Sequence, residues 1–281
     1  MALTLPYGTI PMLLVLATSA LAVGRWVTQT ARQERRRARV RSAPFPAAWR
    51  RILRRRVPLV ARLPAELQLR LKRHIQVFLA EKPFIGCDGQ PITDEVRVTV
   101  AAQACLLLLG SARPDCYPRL RQVLVYPGSF TVTRDQPLGA GLVQVQRQAL
   151  AGESWTRGEV ILSWPDVVAG AADASDGQNV TLHEFAHQID QDSGVANGQP
   201  WRPGARQRQR WAAVMGAALA RLRERPHSVI NRHGAIDPAE FFAEASVAFF
   251  ERSTGLLAEE PALYRELAAL FGVDPAGPCS P

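Results

Sequence analysis

Two histidines four residues apart, with a glutamate directly after the first, stand at His183-Glu184-Phe185-Ala186-His187, the pattern H-E-x-x-H. On an α-helix such a pair lies on one face, one turn apart, so two imidazoles can grip a single metal ion. At 100° per residue, His187 falls about 40° from His183, Asp190 at about −20° and Glu184 at about 100°. Leu182, Phe185, Ala186 and Ile189 gather near about −110°, which gives the helix an apolar face apart from its polar one. Glu184 flanks the histidines without having to bind metal, as suits a base for an attacking water. The chain holds only 5 His in 281 residues, so chance alone would give this motif in fewer than about 1 in 100 chains of this composition. Two imidazoles, a carboxylate and an open position match catalytic zinc, so one Zn2+ per chain is the expected cofactor.

The motif leaves zinc one protein ligand short. A third histidine ten residues after His183 would mark a metzincin, but that residue is Ser193, which excludes the class. Asp190 lies on the ligand face of the same helix. As an alternative to ligation, it could accept from a ligand imidazole N–H and fix its tautomer. Glu240 opens a later helix, Asp237-Pro-Ala-Glu-Phe-Phe-Ala-Glu-Ala-Ser-Val-Ala-Phe-Phe250, in which Glu244 follows one turn on. Asp237 as N-cap, Pro238 at N1 and Glu240 at N3 also make a capping-box-like start, in which Glu240 would only bond the cap N–H. Spacing alone leaves Asp190, Glu240 and Glu244 all open.

These residues need a scaffold, and the pattern around them is that of a mainly helical α+β domain with a small sheet. Leu63 to Leu79 reads as an amphipathic helix. A second helix opens at Thr93-Asp-Glu95, runs through Ala101 to Leu109 and stops at Gly110; apolar nearly all round, it should be buried. Strand-like runs follow at Gln122 to Tyr126, Leu142 to Gln146 and Gly158 to Trp164. In metallopeptidases with this motif an edge strand beside the helix pairs with the extended substrate backbone. Val160 to Trp164 is the expected edge. Gly194 to Arg210 reads as a polar loop and Trp211 to Arg223 as a helix. The four cysteines show no metal or redox spacing, and Cys105 reads as a core residue.

The formal net charge of +9 is concentrated near the N-terminus: 16 basic residues against two acidic ones between Arg25 and Arg73. The rest of the chain is net acidic, so no direct nucleic-acid binding is expected. Residues 1–24 carry no charge. Leu3 to Val23 is just long enough for a transmembrane helix, and the arginines after it place the bulk of the chain in the cytoplasm. The expected organisation is a membrane anchor at 1–27, an Arg-rich juxtamembrane linker at 28–57 suited to an anionic membrane surface, and a metallopeptidase domain at 58–281. Cleavage as a signal peptide after Ala20-Leu-Ala22 is the rival; a cytoplasmic protein is the alternative to the inner membrane.

Asn179-Val-Thr-Leu-His-Glu-Phe-Ala-His-Gln-Ile-Asp190 together with Pro238-Ala-Glu-Phe-Phe-Ala243 resembles the Mlc titration factor A peptidases. So do Phe78-Leu-Ala-Glu-Lys-Pro-Phe84, Ala101-Ala-Gln-Ala-Cys105, Val125-Tyr-Pro127 and Leu162-Ser-Trp164; the likeness spans residues 65 to 275. It implies a gluzincin-type zinc peptidase whose zincin-type catalytic domain is similar in fold to that of anthrax lethal factor. It also implies that His183, His187 and Glu240 bind zinc, that Glu184 is the catalytic base, and that a transcriptional repressor is a partner beside a peptide or protein substrate. One departure falls seven residues before Glu240, where the family carries an oxyanion-stabilising Tyr and this chain has His233. An imidazole N–H can donate to an oxyanion as a phenol can, or the ring can touch the metal itself. Glu244 and Val247 are also exchanged relative to the family's helix pattern, which bears on which glutamate faces the site.

Overall fold

The computed structural model describes residues 9–110, 116–139, 142–150, 152–155, 158–192 and 194–277. The chain forms two compact units, Met1–Ala43 and Pro44–Pro281. The first holds one helix, α1 (Thr9–Ser42). It carries the arginines expected in a linker, because Arg, Ala and Gln are good helix formers and Glu34 meets Arg37 at 2.8 Å and Arg41 at 3.3 Å. The expected transmembrane anchor is not supported: among the described residues no helix is long and apolar enough to cross a membrane. The apolar part of α1 ends at Val23, followed by Gly24 and Arg25, short of the roughly 20 residues a span needs. The segment from Leu3 to Gly8 lies outside the described residues.

The second unit begins with α2 (Ala47–Arg56) and a 3-10 turn at Pro58–Arg62. Two of the linker arginines meet acidic side chains of the same unit. Arg55 and Arg56 both pair with Glu95, and Trp49 Nε1 donates to Asp94 Oδ2 at 3.0 Å. These acidic partners open α4 (Asp94–Leu106), whose first turn is capped by Thr93 Oγ1 accepting from Val96 N. From Val98 to Leu106 every residue of α4 is buried, as its uninterrupted apolarity predicts. Cys105 is one of them, a core residue whose thiol burial pushes up. Before it, α3 (Ala65–Glu81) buries Leu71, Ile75 and Phe78.

The sheet has the order β1 (Phe84–Gly86), β2 (Gln122–Tyr126), β6 (Glu159–Ser163), β5 (Gly152–Trp155). Its first three strands are parallel, with Val123 opposite Val160 and Val125 opposite Leu162, and β5 runs antiparallel to β6. A separate antiparallel pair joins β3 (Phe130–Gly139) to β4 (Leu142–Leu150). The run expected to be the substrate-facing edge, Val160 to Trp164, is an interior strand with β2 on one side and β5 on the other. Trp164 itself starts α5 (Trp164–Ala172), with Pro165 in its first turn.

The remaining helices are α6 (Val180–Gln191), α7 (Ala205–Glu224), α8 (Pro238–Glu251), α9 (Ser253–Glu259) and α10 (Pro261–Phe271). Between α7 and α8 lies a 3-10 turn at Arg232–Ala235. Phe242, Phe249, Phe250 and Phe271 form an aromatic core with Trp211 and Tyr264. Each fully buried side chain of this size contributes roughly 2–3 kcal/mol by leaving water.

Candidate metal centre

The helix carrying the H-E-x-x-H motif is fixed in rotation by its apolar face and in depth by its cap. Leu182, Phe185 and Ala186 are fully buried, and the Phe185 ring meets Tyr117 at 5.0 Å and Phe78 at 5.8 Å, edge to face. Asn179 Oδ1 accepts from Leu182 N at 2.9 Å, the usual N-cap bond. Its Nδ2 donates to Gly170 O on α5 and to Glu251 Oε1 at the end of α8, both at 2.9 Å. One side chain therefore ties the start of α6 to the two helices beside it.

Glu251 is the less comfortable partner in that tie. Burial pushes its carboxyl up to about 7; Asp176 and Asp173 add to the rise, and the Asn179 amide and the Gly177 N–H oppose it. A carboxyl raised in the fold favours the native state fully below its unfolded value of 4.5, and that contribution disappears as pH climbs through about 7. The gap corresponds to about 3 kcal/mol. Glu251→Gln, which cannot ionise, is expected to gain in thermal midpoint relative to wild type between pH 5 and pH 8, by several degrees. A wild-type-to-variant difference that stays constant across that range would refute the assignment.

With α6 so placed, the His183 and His187 rings turn toward α8, where Glu240 and Glu244 lie one turn apart. His183 Nε2 and His187 Nε2 are 3.1 Å apart. Glu240 Oε2 is 3.2 Å from the first and 3.6 Å from the second. Around a tetrahedral zinc with bonds of about 2.0–2.1 Å, neighbouring ligand atoms are about 3.3 Å apart. The three spacings are those of one face of such a tetrahedron. Glu240 Oε2 is moreover buried and makes no hydrogen bond of good geometry, and a buried anion is costly unless a cation, whether a metal ion or a protonated imidazole, stands next to it. The donor set and its geometry fit a zinc ion.

His233 enters from the 3-10 turn, with Nε2 3.1 Å from the same Glu240 oxygen. His183, His233 and Glu240 each present a ligand atom within 4.8 Å of one another. Glu244 takes the other side of the His183 ring, with Oε1 3.4 Å from Nδ1. That is the place of an acceptor that orients a ligand imidazole. Glu184 is buried at 6 % exposure, close enough to favour a charged His183. Burial opposes charge on His183, but Glu240 and Glu244, with Glu184, hold its protonated form up to about 10. Burial likewise disfavours a charged Glu240, yet His183 and His187 hold its carboxyl well below the usual carboxylate range. The carboxylates around the rings favour positive charge at this point, and a metal ion can take the place of the proton there. A cleft of about 320 Å³ opens beside it, lined by Asp166, Asp176, Asn179, His183, Asn231 and Glu244. A cavity of about 330 Å³ around Ile189, Trp201 and Leu270 contains none of the site residues.

Glu240 reaches this point because its own helix is capped by another residue. Asp237 Oδ1 accepts from Ala239 N at 2.8 Å and from Glu240 N at 2.9 Å, while the Glu240 side chain turns to the imidazoles. Asp190, weighed from the sequence as ligand or as imidazole acceptor, has its oxygens on backbone amides: Oδ2 accepts from Gly198 at 2.6 Å and Oδ1 from Gln199 at 2.8 Å. Gly198 also receives Trp211 Nε1 on its carbonyl. At φ 74° it lies so close to α8 that a Cβ would sit 2.3 Å from Pro238 O. Asp190 thus pins the loop that supports the start of α8. The sequence signal for that role is an acidic residue in the last turn of a helix, ahead of the pair Asn197-Gly198.

Residues 31–272 match the family described as glucose-regulated metallo-peptidase M90. The chain is 37% identical over 241 residues to the uncharacterized protein slr2042 of Synechocystis, covering 84% of this chain and 87% of that one. It is 32% identical to Mlc titration factor A of Salmonella gallinarum over 229 residues, 78% of this chain and 84% of the relative. Against Mlc titration factor A of Cronobacter sakazakii the identity is 32% over 242 residues, 83% and 88% of the two chains.

Proposed function

Because the chain belongs to the M90 metallopeptidase family, we propose that it hydrolyses peptide bonds with one zinc ion held by His183, His187 and Glu240 and with Glu184 as general base. The observation that carries this reading is the triangle of two imidazole nitrogens and one otherwise unbonded carboxylate oxygen, with edges of 3.1, 3.2 and 3.6 Å. When bound, zinc supplies Lewis acidity, polarising the scissile carbonyl and acidifying the attacking water. Glu184 takes a proton from that water as its oxygen bonds to the carbonyl carbon, and delivers it to the departing amide nitrogen as the C–N bond breaks. Once substrate occupies the site, His233, the most exposed of the three imidazoles here, donates an imidazole N–H to the oxyanion that forms. Glu244 holds the His183 ring through Nδ1. An extended substrate adds alongside β5, the strand at the end of the sheet beyond β6, through main-chain hydrogen bonds that do not read side chains.

Purified chain is expected to contain one zinc, to cleave generic peptides, to stop when the metal is chelated and to resume when zinc is restored. A chain that takes up no divalent metal would refute the proposal. The name Mlc titration factor A borne by relatives supports a second reading, binding of a repressor protein. Stoichiometric zinc without turnover, together with capture of such a repressor, would favour it.

A further inference from the structure

We propose that His233 is a fourth protein ligand of the same metal, closing its coordination until substrate displaces the ring. This rests on the metallopeptidase reading and adds to it a brake on the resting site. The turn carrying His233 is tied at both ends. Asn231 Oδ1 accepts from His233 N at 2.9 Å, Arg232 Nη1 donates to Leu222 O at 2.9 Å and to Arg225 O, and Arg223 Nε donates to Ala235 O at 2.9 Å. Gly234 lets the turn lie directly on α8: a Cβ there would be 3.2 Å from both Phe241 Cα and Glu244 Cβ. The ring is thereby delivered with its Nε2 toward the cluster.

Distance separates a ligand from a distant donor. A group that only stabilises the oxyanion stands about 2.7–3.1 Å beyond the substrate oxygen, so that oxygen lies between it and the metal. His233 Nε2 is instead 3.1 Å from Glu240 Oε2, the same edge that relates His183 to His187, and its ring centroid is 5.9 Å from that of His183. Zinc sites with four protein ligands are closed, whereas catalytic ones keep a position for water or substrate. Of the imidazoles here, His183 and His187 have side chains only 14% and 11% exposed, against 52% for His233. His233 is the one with room to leave.

X-ray absorption at the zinc edge of the full chain, compared between wild type and His233→Ala, tests this by counting imidazoles. Three in wild type and two in the variant are expected, with zinc affinity in a chelator competition falling at least tenfold. His233→Gln, which keeps a polar side chain at this exposed position, is expected to match His233→Ala in imidazole count. Two imidazoles in wild type and variants alike, with equal affinity, would overturn the fourth ligand and leave the peptidase reading standing. Wild type without stoichiometric zinc would overturn both.

Discussion

Glu184→Gln is expected to lose about 10²–10⁴-fold in turnover, with zinc still bound at one per chain. The exchange preserves shape at a buried residue, 6 % exposed, so the packing of α6 has no reason to change. What disappears is the lone pair that can accept a proton and the acid that can return it. A loss of a thousandfold corresponds to about 4 kcal/mol of transition-state stabilisation. Because the base acts only as the water attacks, kcat and kcat/KM should fall together and KM should move little. Metal content separates this from damage to the site, since Glu184 is outside the ligand triangle. Turnover within twofold of wild type, with zinc retained, would move the proton-transfer role to another carboxylate, Glu244 on the facing helix being the next to test, with Oε1 3.4 Å from His183 Nδ1.

Much of this site was legible in the sequence because its information is local. His183, Glu184 and His187 fall within one and a half turns of helix, and Asp237 announces its helix by cap chemistry that acts over three residues. The direction of the Glu240 side chain was not local. A glutamate at N3 can reach back to its cap or outward, and which it does depends on α6 packing across from it. Spacing leaves Asp190, Glu240 and Glu244 open, and the resemblance implies Glu240. Strand order also depends on distant parts of the chain, and there the edge assignment failed. A signal was present: Val160-Ile-Leu162 is an unbroken apolar run, which fits a parallel strand covered on both faces better than an edge. The buried Lys82, whose Nζ donates to Tyr117 O at 2.6 Å and Leu120 O at 2.8 Å, gave no such signal. A lysine at a helix end ordinarily reads as solvated, and only the returning loop supplies its carbonyls.

Removing the Glu240 carboxylate should have the largest effect on the metal itself. Folding-coupled zinc sites of four ligands are worth about 10–16 kcal/mol, so one ligand accounts for roughly 3–4 kcal/mol, or about 10²–10³-fold in affinity. Glu240→Ala is therefore expected to leave purification nearly metal-free under conditions in which wild type keeps one zinc. The fold should survive, because Asp237 still caps α8 and the buried stretch from Phe241 to Glu251 is untouched. Circular dichroism of the metal-free variant against metal-free wild type checks that point. Glu244→Ala makes the informative comparison. Its carboxylate faces His183 Nδ1 rather than the Nε2 atoms, so its loss should weaken zinc by the smaller factor of about 10–100 that belongs to an orienting partner. If Glu240→Ala keeps full zinc while Glu244→Ala loses it, the two glutamates have exchanged roles. Zinc would then be gripped through the opposite nitrogen of His183, and the triangle of Nε2 and Oε2 atoms would hold a proton rather than a metal.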